Sequence, residues 1–473
     1  MALLSSFGRK EFYFTLGRYL VYAFQIAKGF ALAYFLGPFF FGIYGYIMLY
    51  QQYLVYSNLG VQYALNAELS INSNSEESVK NRIENSAFSM TVYIVLLLFI
   101  LSLFVYFFKI EIFPYKDSYK YVFLLLILAS LGHFQEIFVN IFRINKNLLP
   151  ILYSDLFIAI ATISVIPFFN GINLIDAVLW SWIISLTFTM FIYKILYKKR
   201  IRFDNSYIKS LFNAGLPLLL FIFNYNLMGL IIRTLISIYY DTTAMGLFSF
   251  SNSLTSAIML SFNSITWLMY PAVISKLSDY DLKGIELEDY LIGFSKKLIF
   301  IVFAIICIAI IAMPLLFIFL PKYEPIKGAL IILLLNQVVF NAGFAFVSLA
   351  IGRKSYYQIA AISLLSVVVC FLFGSAFSFY KLPIEWLAIA NILGSFFFLN
   401  VFILFIAKKY ELSYVKILSG FEPILQIIIV TCCIAAVLGF QSLVIFLIIA
   451  ALIIRRNDSK DVYYQIKKFL IKN

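Results

Sequence analysis

Three cations stand where the sequence is otherwise apolar: Arg18 and Lys28 in a run from 12 to 36, and Arg233 in a run from 211 to 239. A charge inside a membrane span costs at least about 2.5–3.5 kcal/mol on insertion scales, so such groups face a cavity or a partner rather than lipid. Guanidinium and ammonium groups so placed can hold an anion through charge-assisted hydrogen bonds. A second set can hold or pass protons or other ions. His133 and Glu136 are three residues apart and share a helical face, so each can shift the other's titration, and Asp155 follows in the next apolar run. A plainer pairing is equally open at this point. Arg18 or Lys28 could neutralise Glu136 or Asp155, and Glu136 could be neutralised by Arg143 or Lys146. The third set is neutral: Gln51, Gln52, Tyr56, Asn58, Gln62 and Asn66 in one run, and Asn252, Ser256, Asn263 and Trp267 in another. The last four are separated by four, seven and four residues, which places them along one helical stripe. Asn224, Asn226, Asn336, Gln337 and Asn341 extend the polar set, although such side chains also serve to join helices.

These residues must be positioned by membrane helices. The chain has 473 residues, 63% hydrophobic and only 12% charged, with a mean hydropathy of +0.96. Soluble domains carry roughly twice that share of charge. With 11 Pro and 21 Gly against 52 Phe, a disordered or collagen-like chain is also excluded. Cys307, Cys370, Cys432 and Cys433 all lie in apolar runs without metal-ligand or disulfide spacing, and the chain has 1 His, so no metal or haem site is expected. There is no G-x-x-x-x-G-K-[ST] or H-E-x-x-H motif, and no catalytic site or cofactor is expected. The chain reads as a non-enzyme driven by a proton or sodium gradient, or by the gradient of its own substrate.

Runs of about 17 to 25 apolar residues mark helices able to cross a core roughly 30 Å thick. Fourteen are found, at 12–36, 41–66, 87–108, 119–141, 148–169, 173–196, 211–239, 245–270, 296–320, 327–351, 356–379, 384–407, 421–438 and 441–455. The last two share one apolar stretch hinged near Gly439, so the expectation is 12 to 14 spans. With the N-terminus inside, 27 Lys and Arg fall in inner segments and 6 in outer ones, and a missing helix in the middle would scramble this bias. Both termini are therefore expected in the cytoplasm, and the formal charge of +13 belongs to the inner membrane face rather than to nucleic acid. Arg9 and Lys10 precede a run too long for a signal peptide, so the first helix is expected to be retained.

Sliding the chain by 204 residues brings Leu32–Tyr46 over Ile236–Phe250, with Gly42 over Gly246 and His133 over Gln337. Six spans separate equivalent points, an even number, so the halves share topology as the lobes of a transporter do. The expected fold is all-α and polytopic. It has two pseudo-twofold-related lobes of six helices, 1–200 and 201–410, and a C-terminal hairpin with a basic tail, 411–473.

The stretch LAYFLGPFFFGIYGYIMLYQQYL…SNLGVQYALNAEL from 32 onward resembles the opening of the polysaccharide-transport branch, typified by Wzx flippases, of the multidrug/oligosaccharidyl-lipid/polysaccharide (MOP) exporter superfamily. GLPLLLF at 215–221, MGLFSFSNS at 245–253, MYPAVISKL at 269–277 and AIGRKSYY at 350–357 resemble later helices of the same family. One departure is the family's Asp-Arg pair in the seventh span: here Arg233 stands among Ile and Thr, and Asp241 comes eight residues later. The resemblance implies flipping of undecaprenyl-diphosphate-linked sugar repeat units across the bacterial inner membrane for O-antigen, lipopolysaccharide or capsule synthesis, beside the polymerase and chain-length proteins of that pathway. Under it, Arg18, Lys28 and Arg233 would hold the diphosphate. Gln52, Asn58, Gln62, Asn252, Ser256, Asn263, Trp267 and Gln337 would line the sugar path, and His133, Glu136 and Asp155 would couple ions. A multidrug or lipid II exporter of the same fold, and a membrane glycosyltransferase or polymerase of the same pathway, are the competing readings.

Overall fold

The computed structural model describes residues 9–71, 76–111, 115, 117–145, 147–353, 355–418 and 423–454, and the regular structure of these residues is helical throughout. In chain order the helices are α1 (Arg9–Leu54), α2 (Val61–Ile71), α3 (Glu77–Phe107), α4 (Tyr119–Ile144), α5 (Leu149–Ser164), α6 (Gly171–Tyr197), α7 (Ile208–Tyr239) and α8 (Thr242–Ser278). They continue as α9 (Gly284–Phe319), α10 (Lys327–Ala342), α11 (Phe344–Gly352), α12 (Tyr356–Phe379), α13 (Ile384–Lys409), α14 (Tyr414–Leu418), α15 (Pro423–Val437) and α16 (Gln441–Ile454). Among the described residues, nine helical stretches are long and apolar enough to cross a membrane, and the two parts of α7, Ile208–Asn224 and Asn226–Tyr239, bent by 54°, pass the same test together as a broken span or a re-entrant segment. The chain is a multi-pass, all-α membrane protein.

The expected crossings at 12–36 and 41–66 are carried by one helical stretch. Gly17–Asn58 runs for 42 residues. At 1.5 Å per residue that is about 63 Å, roughly twice the hydrocarbon thickness. The stretch breaks at Gly37 (φ 64°, ψ 173°), a conformation that suits glycine, and Pro38 follows with no N–H to offer the helical ladder. At the C-terminal end, α15 and α16 have 15 and 14 residues and meet at Gly439 (φ 80°), as the apolar pattern suggests. Each is shorter than the ~20 residues of an upright crossing.

The chain divides into two compact units, Gly8–Phe223 with Asp241–Gly246 and Asn224–Tyr240 with Leu247–Asn473. In the second, α13 packs on α10 and α12, and α15 and α16 lie against α10 and α9. The first has a core shared by α1 to α6, with Val21, Leu65, Ile83, Leu126, Phe138 and Leu152 buried. Outside this core α3 and α6 expose Leu97, Ile100, Phe107, Ile184 and Phe191, the faces that lipid would cover.

Two segments aligned by the 204-residue offset meet inside the first unit. A β-carbon on Gly42 would overlap the carbonyl oxygen of Thr242, and one on Gly246 would overlap the carbonyl oxygen of Pro38. The shift of 204 residues that carries Gly42 onto Gly246 also carries Pro38 onto Thr242. The two segments thus touch reciprocally through backbone, and only hydrogen fits at either glycine.

The connector from α6 to α7 is tied to the polar face of α3. Lys199 Nζ pairs with Glu77 at 2.7 Å and with the buried Glu84 at 3.3 Å, while Tyr197 donates its hydroxyl to Glu84 at 2.6 Å. The backbone N–H groups of Arg202, Asp204 and Tyr207 donate to Asn85, Ser89 and Ser86 at 3.1, 2.9 and 3.2 Å. Burial alone would lower the Lys199 ammonium, but the hydrogen bond to Glu77 and the field of Glu84 outweigh it and hold it above the usual lysine range. Asp204 lies below the usual carboxylate range because the Ser206 hydroxyl and N–H both donate to it.

Candidate functional site

Polar side chains of the first unit meet at a cavity of about 510 Å³. Helix α4 forms one wall with His133, Gln135, Glu136, Asn140 and Arg143; α1 brings Gln51, α2 brings Gln62, Tyr63 and Asn66, and α6 brings Trp182 and Leu186. The α4 wall follows from spacing, since 133, 136, 140 and 143 are three, four and three apart and so share one helical face.

Hydrogen bonds along that face decide which charges are free. Asn140 Nδ2 donates to the Glu136 carbonyl at 2.9 Å and Arg143 Nη2 donates to Asn140 Oδ1 at 2.8 Å, so the guanidinium is held to its own helix. No described residue makes an ion pair or hydrogen bond with the Glu136 carboxylate, which is exposed to the cavity. The alternative pairing of Glu136 with Arg143 is therefore not formed, and Lys146 lies outside the described residues. His133 is buried, with Nε2 2.9 Å from Ser57 Oγ. Ser57 gives its single proton to the Leu54 carbonyl at 2.7 Å. Its oxygen therefore accepts from His133 Nε2–H, and in the neutral ring Nδ1 is left as the acceptor. His133 is thus fixed by Ser57 and does not bond Glu136, although both line the cavity.

Of the candidate cations, Arg18 forms an ion pair with Asp155, linking α1 to α5. Its guanidinium also sits over the rings of Phe14 and Tyr22, 5.9 and 5.5 Å from their centroids. This is the same-lobe neutralisation that the spacing left open. Lys28 is half-buried on α1, with no ion pair or hydrogen bond among the described residues. Arg233 is buried in the second unit at 3% exposure.

The neutral candidates are spread out. Gln62 is in the cavity wall. Gln51 is there as well, whereas Gln52 is exposed outside it, because neighbouring helical residues point about 100° apart. Asn58 is buried and turned back on its own chain, with Oδ1 accepting from Gly60 N–H at 2.8 Å. On α8, Asn252 is half-buried, Ser256 and Asn263 are exposed, and the Ser256 hydroxyl donates to the Asn252 carbonyl at 2.9 Å. The Trp267 side chain lies outside the described residues. Gln337 is half-buried on α10, and its carbonyl accepts from Asn341 at 2.8 Å. Sequence reasoning missed Gln135, Asn140, Arg143 and Trp182 as cavity residues. The signal for Asn140 and Arg143 was the α4 stripe; Gln135 lies off that stripe and Trp182 carried none.

No family model and no curated protein sequence matches the chain. Solved structures do. The lipid II flippase MurJ in an inward closed conformation matches with a TM-score of 0.71 and 14% identity, over 96% of this chain and 99% of that one. An inward-facing multidrug resistance MATE transporter of the MOP superfamily matches at 0.64 and 13%, over 83% and 94%. A MATE structure in complex with MaL6 matches at 0.57 and 14%, over 84% and 94%. The chain shares the fold of these flippase and exporter structures.

Proposed function

We propose that the chain is an alternating-access flippase that moves polyprenyl-diphosphate-linked oligosaccharide repeat units across the bacterial inner membrane for O-antigen or capsule synthesis, with both termini in the cytoplasm. The observation that carries this reading is how far the likeness to the lipid II flippase extends. A match over 96% of 473 residues leaves about 19 unmatched, so it takes in at least part of α15–α16, whereas the MATE matches leave out about a sixth of the chain. The resemblance of 32–69 and the later motifs to the polysaccharide-transport branch supports the same cargo class.

In this reading the polyprenyl tail stays in lipid, and Lys28 of the first unit and Arg233 of the second are the candidate diphosphate-binding cations, since guanidinium and ammonium groups satisfy such charge well. Arg18 acts through Asp155, setting the position of α1 on α5. The Glu136 carboxylate, without an ion pair or hydrogen bond among the described residues, would exchange a proton or sodium ion as the cavity opens, together with His133 of the same wall and the nearby Asp155. The energy source is then an ion gradient or the flux of cargo itself, and the polymerase and chain-length proteins act next on the product.

The test is complementation of surface-polysaccharide export in cells lacking their own flippase but carrying this chain's cognate sugar pathway. Wild type restores polymer, and Lys28→Ala and Arg233→Ala at matched membrane levels abolish it. If wild type does not restore polymer, the reading falls. A second reading, export of organic cations, is favoured by Glu136, which has no ion pair among the described residues. It predicts raised drug tolerance in a strain stripped of its exporters, lost in Glu136→Gln.

A further inference from the structure

We infer that the cavity of the first unit is a recognition pocket for an uncharged saccharide of about two or three pyranose rings, with Trp182 as its stacking face. This rests on the flippase reading and specifies which part of the cargo the cavity takes.

Size comes first. A volume of about 510 Å³ lies within the range of small-molecule sites. It would hold a short oligosaccharide and not a repeat unit together with its lipid.

Charge excludes the other end of the cargo. The cavity carries one guanidinium, Arg143, and one carboxylate, Glu136, which cancel. Arg143 already gives a donor to Asn140, and among the described residues none makes an ion pair or hydrogen bond with the Glu136 carboxylate, so a diphosphate would meet a negative group in the same wall. An uncharged sugar meets no such penalty. Its hydroxyls can donate to Glu136 and accept from Arg143, both as charge-assisted bonds.

The remaining wall fits the same ligand. Gln51 and Gln62 each have a buried Oε1 without a hydrogen bond among the described residues, acceptors that a small side-chain rotation would bring to a hydroxyl or acetamido donor. Trp182 is half-buried in the wall, while Trp180, two residues away and so on nearly the opposite face of α6, is 50% exposed to the outside. An indole in this wall can offer the flat apolar surface that the axial hydrogens of a pyranose ring need.

The experiment is calorimetric titration of the full chain in lipid nanodiscs with di-N-acetylchitobiose, maltose and inorganic pyrophosphate. Wild type should bind at least one of the two sugars with a dissociation constant of roughly millimolar order, and excess pyrophosphate should not displace it. Trp182→Ala should weaken sugar binding about tenfold while Trp182→Phe retains most of it, as expected of a ring that stacks. Gln62→Ala should also weaken it, which keeps the test valid if Trp182→Ala does not fold. Absence of binding by both sugars, unchanged affinity in Trp182→Ala and Gln62→Ala, or displacement by pyrophosphate overturns the inference. Export complementation reports separately on the flippase: intact export without sugar binding sinks this inference alone, whereas loss of export by wild type sinks the function it rests on.

Discussion

Removing Asp155 tests how the first unit holds its internal charge. In Asp155→Asn the Arg18 guanidinium loses its counter-ion, and the two rings beside it, Phe14 and Tyr22, restrict where it can go. Side-chain exposures of 32% for Arg18 and 23% for Asp155 put the pair between surface and interior. Exposed pairs contribute about 0–1 kcal/mol, and breaking a fully buried pair from one side costs about 3–5 kcal/mol, so a loss of roughly 1.5–3 kcal/mol is expected here. Arg18→Leu should cost a similar amount by stranding the carboxylate. The double variant Arg18→Leu/Asp155→Leu leaves no orphan charge and should recover most of the loss. Unfolding free energies from SDS titration in mixed micelles give the coupling. A value below about 0.5 kcal/mol would refute the pair as a structural link. Export by the same variants separates the roles of Arg18. If it only positions α1, the double variant still exports; if it touches the diphosphate, export is lost in both Arg18 variants whatever their stability.

Three further outcomes follow from the geometry. Gly42→Ala and Gly246→Ala each push a β-carbon into a backbone carbonyl, and each should cost about 1–3 kcal/mol, with the double variant losing less than the sum because one separation relieves both overlaps. Unchanged thermal midpoints for both would contradict the reciprocal contact. Lys199→Ala should release the 198–207 connector from α3, seen as faster amide exchange at Arg202, Asp204 and Tyr207. The connector's pH limits follow from sign. Asp204 is depressed, so its contribution is full above the unfolded value of about 3.9 and is lost as pH falls below it. Lys199 is raised, so its contribution holds through neutral pH and is lost only above the usual lysine range of about 10.4. Amide exchange at 202–207, corrected for its intrinsic pH dependence, should be flat from pH 5 to 9, and a marked rise inside that window would contradict the assignment.

The membrane class and most helix positions are legible because apolar run length is a local property of the chain. The contact of Gly42 with Gly246 is not, because a shared repeat offset marks equivalent positions and does not by itself bring them together. What composition hides is register and lateral packing. Adjacent Gln51 and Gln52 look alike in sequence, yet 100° of helical rotation puts only the first in the cavity wall. Lys199 reads in sequence as one more basic residue after a span, but with Glu77 and Glu84 it fastens a connector, a role set by α3 folding beside it. Arg143 is a similar case: a cation near a span end gives no sign of a cavity role by itself, whereas the stripe of His133, Glu136 and Asn140 on its own helix brings it into the wall. Trp182 could not be singled out among 19% aromatic residues, because packing alone distinguishes it from lipid-facing Trp180.

The most direct test of the central claim is lipid flipping by the purified chain. Proteoliposomes would carry an undecaprenyl-diphosphate-linked oligosaccharide loaded in the inner leaflet, and a lectin or glycosidase outside would report its arrival. The account predicts exposure of the sugar well above protein-free vesicles, lost in Lys28→Ala and Arg233→Ala and altered in its response to an imposed proton or sodium gradient in Glu136→Gln. Sugar exposure no faster than in empty vesicles, under either gradient and with folded protein in the membrane, would contradict it.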